Sequence, residues 1–165
     1  MFNLKQASLA DCKLINQLAQ QVFPATYENI LTPEQIEYMM EWMYSIKNLQ
    51  KQMKEEGHIY FIAYEKDTPC GYLSIQQENN ELFHLQKIYI LPAYQGKKYG
   101  KKLFEKAIEY IKQINLSPCR MILNVNRNNK AIHFYEKLGM KKIGKGDFPI
   151  GNGFLMEDYI MAIDI

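Results

Sequence analysis

The stretch Leu85-Gln86-Lys87-Ile88-Tyr89-Ile90-Leu91-Pro92-Ala93-Tyr94-Gln95-Gly96-Lys97-Lys98-Tyr99-Gly100-Lys101-Lys102-Leu103 decides the reading of this chain. Its opening residues are β-rich and stop at a proline. Its end begins an apolar stripe of Leu103, Phe104, Ala107, Ile108 and Ile111, which predicts a helix to about Asn115. A strand that passes through a glycine-containing turn into a helix aims unpaired backbone N–H groups and the positive helix end at one point, an anion site. Lys97, Lys98, Lys101 and Lys102 add charge there. Two known phosphate loops are excluded by spacing. The nucleoside triphosphate loop needs G-x-x-x-x-G-K-S/T, whereas here the spacing is G-x-x-x-G and Lys101 is followed by lysine. The dinucleotide fingerprint G-x-G-x-x-G is missing. What remains is a pyrophosphate site with no evident metal requirement.

Outward from this segment the pattern is mixed α/β. Upstream, His58 to Tyr64 and Gly71 to Ile75 read as strands joined by a hairpin at Lys66-Asp67-Thr68-Pro69, and a third strand, Leu82 to Leu91, follows Asn79-Asn80. Earlier still, residues 2 to 7 alternate as a short strand. Ser8-x-x-Asp11 opens a helix carrying Leu14, Ile15, Leu18 and Val22 that Pro24 is expected to end. Thr32-Pro33-Glu34-Gln35 opens another: threonine caps, proline suits the first position and Gln35 reaches back to complete the box. That helix is expected to reach about Tyr44, with a polar one from Asn48 to Glu56 stopping at Gly57. Downstream follow a strand (Arg120 to Val125), a helix (Asn129 to Leu138), a strand (Met140 to Ile143), a glycine-rich loop (Gly144 to Gly153) and a closing strand (Phe154 to Ile163). Helices that connect neighbouring strands in this order make a mixed α/β fold.

The chain's 165 residues are about one domain's worth, so a single domain over 1–165 is expected. With 47% hydrophobic and 23% charged residues it is an ordinary globular composition, far from disorder. A net charge of +2 does not mark a nucleic-acid binder. Cys12, Cys70 and Cys119 lie too far apart for a Cys-x-x-Cys pair and their odd number fits a reducing cytosol. The start Met1 to Gln6 lacks the apolar stretch of a secretory signal, and no apolar run approaches the ~18 residues of a spanning helix. A soluble, cytoplasmic protein is the expectation. His58 and His133 have no partner in sequence that suggests a metal.

At Gln95-Gly96-Lys97-Lys98-Tyr99-Gly100 the chain resembles the GNAT superfamily of acetyl-CoA-dependent N-acetyltransferases, whose loop is Q/R-x-x-G-x-G/A; Lys98 stands at the inner glycine. A second segment, Asn126-Arg127-Asn128-Asn129-Lys130-Ala131-Ile132-His133-Phe134-Tyr135-Glu136-Lys137-Leu138-Gly139-Met140, is similar to the family's N-x-x-A-x-x-F-Y-E-K-x-G-F, with Met140 for the usual aromatic. Softer matches, Phe23-x-x-Thr26-Tyr27 with Thr32-Pro33-Glu34 and the tail Asp147 to Ile160, resemble the bacterial spermidine/spermine N-acetyltransferase group. The resemblance implies a mostly antiparallel sheet of six to seven strands, splayed centrally and flanked by helices on both faces. It also implies acetyl transfer from acetyl-CoA to a primary amine, a polyamine or other small amine, by direct attack in a ternary complex. The partner would be a small molecule, with neither nucleic acid nor membrane, and the protein a monomer or homodimer.

The same resemblance implies the roles. Backbone groups of Ile88, Tyr89 and Ile90 would bind the pantetheine arm, with one N–H polarising the acetyl carbonyl. Gln95, Gly96, Lys97, Lys98, Tyr99, Gly100 and Lys101 would take the pyrophosphate, and Asn128 would contact the coenzyme. Tyr135 would protonate the departing thiolate; a tyrosine with a pKa near ~10 holds its proton at neutral pH. The acceptor amine, with a pKa near ~10.4, costs roughly 4.6 kcal/mol to deprotonate at pH 7, so a proton acceptor is needed. Many family members place a glutamate where this chain has Gln86, which cannot act as a base. His84, on the strand face of Gln86 by alternation, and Glu28 are candidates, and the base stays open. Tyr27, Glu28 and Glu34 are candidates for binding the acceptor. Glu34, Glu37 and Glu41 share one helix face, also the spacing of a solvated face; Glu157 and Asp158 lie on the last strand. Gln86 and Lys98 equally suit a non-catalytic acyl-CoA-binding module of the same fold.

Overall fold

A computed structural model describes all 165 residues. The chain runs β1 (Phe2–Gln6), α1 (Cys12–Tyr27), α2 (Pro33–Tyr44), α3 (Ile46–Lys54), β2 (His58–Glu65), β3 (Thr68–Asn79) and β4 (Leu82–Ile90). Then come α4 (Tyr99–Ile114), β5 (Arg120–Asn126), α5 (Ala131–Lys137), β6 (Lys141–Gly151) and β7 (Phe154–Asp164). The strands form one sheet in the order β1-β2-β3-β4-β5-β7-β6, antiparallel everywhere except between β4 and β5. The α/β architecture expected from the sequence is present.

Each face of the sheet buries an amphipathic layer. On one, Ile15, Leu18, Val22 and Phe23 of α1, Met39 and Tyr44 of α2 and Leu49 of α3 pack on Tyr60, Ile62 and Tyr72. On the other, Leu103, Phe104, Ala107 and Ile111, the stripe read from the sequence, pack with Ile132 and Tyr135 of α5 on Phe61, Leu73, Phe83 and Leu123. At about 1.5–3 kcal/mol per fully buried large side chain, these two layers dominate the favourable side of folding.

Two irregularities in β4 make the site. First, Ser74 of β3 stands opposite Lys87 and Ile75 opposite Leu85, so Gln86 is left as an extra residue, a β-bulge. The bulge resets the alternation. Phe83 and Leu85 face the α4 side, but Lys87 and Tyr89 face the α1–α3 side. Second, β4 pairs with β5 only over Leu82–His84 against Arg120–Ile122. Beyond that the strands part, because a bulged strand bends and twists away from its neighbour.

Four sequence expectations are corrected. Pro24 does not end α1, which continues to Tyr27. Proline removes only its own N–H, the carbonyl it leaves belongs to the exposed Gln20, and Thr26 Oγ1 donates to the Val22 carbonyl (2.7 Å) in the same turn. Gly144 to Gly153 is not a loop: β6 runs to Gly151 paired with β7, and only Asn152-Gly153 turns. The Arg127 guanidinium fastens it, donating to the Gly146 carbonyl (3.1 Å) and to Asp147 (2.6 Å). Thr32 caps α2 through Gln35 N–H (3.2 Å), but the Gln35 carboxamide does not reach back; it donates to the Leu155 carbonyl (2.8 Å) and ties α2 to β7. The β2–β3 turn is also tighter than expected, with Thr68 and Pro69 already in β3 and Lys66 at φ 56.

Candidate active site

The gap between β4 and β5 opens into a recess of about 1050 Å³. Leu85 to Ile90 form one wall, Leu123 to Val125 the other, and α5 closes it with Phe134, Tyr135 and Leu138. At one end lies the loop into α4. Gly96 has φ 84 and Lys98, immediately before the helix, has φ 65 and ψ 19. Lys102 N–H donates to the Lys98 carbonyl (3.3 Å), so the N–H groups of Tyr99, Gly100 and Lys101 precede the helical ladder. Gly100 packs closely, since a Cβ there would lie 3.2 Å from Phe134 Cζ and the ring would have to give by a few tenths of an ångström. No carboxylate lines the recess, while Lys98, Lys101 and Lys137 do; Lys87 also borders it, but its Nζ turns away to Gln52. Main-chain donors, a helix start and lysines with no carboxylate in the lining, Lys101 alone pairing outside it with Glu105 (3.9 Å), fit a diphosphate on a long, partly apolar arm.

Most of the residues expected to hold a coenzyme meet here: Ile88, Tyr89, Ile90, Gln95, Gly96, Lys98, Tyr99, Gly100, Lys101 and Tyr135 all line the recess. Two do not. Lys97 turns to Glu65 (3.0 Å), whose carboxyl the Tyr99 hydroxyl and Lys97 hold low, while that hydrogen bond pushes Tyr99 up to about 12. Asn128 is exposed outside it, and Asn129 lines it instead, its Oδ1 accepting from Ala131 N–H (2.9 Å) at the start of α5. The Ile90 carbonyl is already taken by Gln95 Nε2 (3.0 Å), which fixes the strand to its loop. Tyr135 is buried and its hydroxyl pKa raised, first by desolvation and then by Tyr27, so it carries its proton throughout the neutral range.

A second cavity, of about 450 Å³, lies against α1–α3 on the other side of β4. Five residues border both spaces: Tyr27, Gln86, Lys87, Tyr89 and Asn124. The Tyr27 and Tyr89 hydroxyls are 3.0 Å apart. The deepest carboxylate is Asp158 of β7, 2% exposed, which accepts from Asn124 Nδ2 (3.4 Å) and which burial raises to about 6. Glu56 is the other carboxylate of the lining. His84 lines this cavity 3.4 Å from Glu78, with its pKa lowered by burial, and Gln86 Nε2 donates to Gln76 (2.8 Å). Tyr27 lines the cavity as expected, whereas Glu28, Glu34, Glu37 and Glu41 are exposed and outside the lining.

Sequence reasoning passed over Lys87. It is 6% exposed, with Nζ directed at Gln52 Oε1 (2.9 Å), the Tyr60 hydroxyl and the Met43 carbonyl (3.4 Å), and 4.6 Å from the centre of the Tyr44 ring. Burial lowers its pKa to about 7. A partial signal existed: plain alternation from Phe83 and Leu85 places a lysine at an inward position, though on the α4 face, from which the bulge at Gln86 turns it. Gln52 and Tyr60, which hold it, come from separate elements and carry no motif.

Comparison with known proteins agrees with this geometry. Residues 17–140 match the acetyltransferase (GNAT) family. The spermidine N(1)-acetyltransferase of Thermoplasma acidophilum is 27% identical over 93% of this chain and 94% of its own length. The alanine N-acetyltransferase of ribosomal protein bS18 from Haemophilus influenzae is 27% identical over 88% and 97%. Among solved structures, the PaiA N-acetyltransferase of Thermoplasma acidophilum in complex with coenzyme A superposes with a TM-score of 0.81 and 25% identity, covering 100% of this chain and 99% of that one. The matched residues span both the Gln95–Gly100 loop and the Asn126–Met140 segment, and the chain belongs to the GNAT family of acetyltransferases.

Proposed function

We propose that this protein transfers an acetyl group from acetyl-CoA to a primary amine of the polyamine type, both substrates being bound at once. The observation that carries the reading is the meeting of the two cavities at Tyr27, Gln86, Lys87, Tyr89 and Asn124: one is lined with lysines and no carboxylate, the other holds a buried aspartate among aromatic rings. The relative named as a spermidine acetyltransferase supports the same acceptor class. Residues 88–90 of β4 have no β5 partner, so their outward N–H groups remain to hold the arm and polarise the acetyl oxygen. Bound acetyl-CoA supplies the activated thioester. Asp158 and the ring faces of Tyr27 and Phe23 attract the acceptor's cationic groups, and Tyr135 holds the proton for the leaving sulfur. The three buried free cysteines accord with a reducing cytoplasm, and no helix is long and apolar enough to cross a membrane.

Incubation with acetyl-CoA and a panel of polyamines, amino acids, aminoglycosides and N-terminal peptides, followed by release of free thiol, tests the reading. Turnover greatest with polyamines is expected. Turnover confined to peptides or amino acids refutes the acceptor class, and tight coenzyme binding without turnover on any amine refutes catalysis in favour of an acyl-CoA-binding module.

A further inference from the structure

Lys87 is a buried amine at the junction of the two cavities, and none of the ion pairs in the molecule includes it. An unpaired buried ammonium is costly, and here it would also repel the positive charge of an incoming amine. Both problems vanish when Nζ is neutral. Two N–H groups then serve Gln52 Oε1 and the Met43 carbonyl, and the lone pair remains, near the Tyr60 hydroxyl.

The neighbours of Lys87 form a row across the sheet. Tyr60 of β2 pairs with Ser74 of β3, and Ser74 with Lys87 of β4. The Tyr60 hydroxyl donates to Gln52 Oε1 (2.5 Å), lies beside Lys87 Nζ and belongs to the residue directly across from Ser74; Ser74 Oγ is 3.3 Å from His58 Nδ1, and His58 Nε2 is 3.9 Å from Oε1 of the exposed Glu56, an ion-pair distance and longer than a hydrogen bond. A row of proton-bearing groups thus leads from the interior towards the rim. We propose that Lys87 Nζ accepts the proton of the incoming amine, and that Tyr60, Ser74 and His58 pass it to Glu56 at the surface.

This rests on the acetyl-transfer reading above. As the new C–N bond forms and the thioester C–S bond breaks, the ammonium's three protons divide: one stays in the amide, one leaves on Lys87 and one reaches the sulfur by way of Tyr135. Hydroxyls rotate between partners, so each member of the row gives one proton as it takes another. The groups that face Lys87 decide its titration. They are Tyr60 and His58 from β2, Tyr72 from β3, Tyr44 from α2, Lys51 from α3, Glu56 beyond it, His84 and Tyr89 on β4, Tyr27 from α1 and Asp158 across the cavity. Burial outweighs the attraction of Glu56 and brings Lys87 to about 7; burial and Lys87 bring His58 to about 4, so His58 passes a proton on rather than keeping it.

The experiment titrates Lys87 and then removes it. In the wild-type protein without ligand, the 15Nζ resonance of Lys87, assigned by its loss in Lys87→Met, is expected to titrate near pH 7; protonation persisting to about pH 9 overturns the proposal. In turnover, kcat of the wild type rises to a plateau above about pH 7. Lys87→Met is expected to lower it at least ~100-fold and to move the acid limb upward by about two units, with coenzyme A affinity retained. A loss equal at every pH, or none, overturns the proposal, because a packing role would not move the limb. Glu56→Gln is expected to slow turnover severalfold in dilute buffer and to recover in concentrated imidazole; unchanged turnover removes the exit route. A wild type inactive on every amine sinks the acetyl-transfer reading as well, whereas an active wild type with an unmoved variant profile sinks this proposal alone.

Discussion

Lys98 sits at φ 65 and ψ 19, left-handed backbone that costs an ordinary residue about 1–2 kcal/mol. The loop tolerates it because the side chain points into open surface and the turn is fixed on either side by Gly96 and the helix. Lys98→Gly is expected to stabilise the protein by up to about 1 kcal/mol, the relief being partly offset by the entropy of the added glycine. Urea midpoints measure it, and coenzyme A affinity should fall, since one lysine leaves the recess. Tyr135→Phe removes a hydroxyl and little else. Turnover is expected to drop by about 10²–10⁴-fold while calorimetric affinity for coenzyme A stays within twofold; an unchanged rate excludes Tyr135 from proton donation. At this scale the coenzyme side was legible, because its loop and helix start are contiguous in sequence. The acceptor side was not: Lys87, Gln52, Tyr60 and Asp158 come from β4, α3, β2 and β7, and only the folded sheet brings them together.

Among the elements, β4 borders both cavities, shaped by its bulge at Gln86 and its missing partner beyond His84. Gly71 of β3 lets it lie close. A Cβ on Gly71 would stand 2.5 Å from the Tyr89 carbonyl oxygen and 2.7 Å from Ile90 Cδ1, so one strand must move. Gly71→Ala is expected to cost about 1–3 kcal/mol in urea unfolding and to weaken coenzyme binding, because the displaced backbone is the one proposed to hold the arm. The strands and helices themselves were mostly readable from periodicity and caps. The bulge was not, since an extra residue in one strand shows only against its partner. Nor was the length of β6, whose glycines mimic a loop and whose pairing with β7 is long-range. Pro24 misled for a related reason: in the last turn of a helix it forfeits a single bond to a carbonyl already in water.

For the whole molecule the buried titratable groups set the pH dependence of stability. Lys87 falls from 10.5 to about 7 on folding, so between those values the unfolded chain binds more protons and stability rises with pH, by about 5 kcal/mol at the upper bound. Below about pH 7 both states are protonated and the full penalty is paid. His58, lowered to about 4, loses stability as acid is added below its ordinary 6.5, while Asp158, raised to about 6, gains it over much of that interval. The two oppose each other in acid; in alkali the Cys12, Cys70 and Cys119 thiols, each pushed up by burial, work against the rise from about pH 8.5, so the rise is clearest between about pH 7 and 8.5. Lys87→Met is expected to abolish that rise and to be more stable than the wild type at pH 6, as Tyr60 then still donates to Gln52 (2.5 Å); denaturant midpoints at pH 6, 7.5 and 8.5 read both. A wild type whose stability is flat from pH 7 to about 8.5 contradicts the buried-lysine account.

The meagre junction of β4 and β5, three residue pairs long, divides the sheet into a block of four strands and a block of three. Two leaves joined at one end have little to keep their free ends from breathing, except the helices that lie across them. Coenzyme A would act as the missing rung. Amide hydrogens of residues 86–90 and 123–126 should therefore exchange rapidly in the empty protein and slow by an order of magnitude or more when it is filled, while those of β2 barely change.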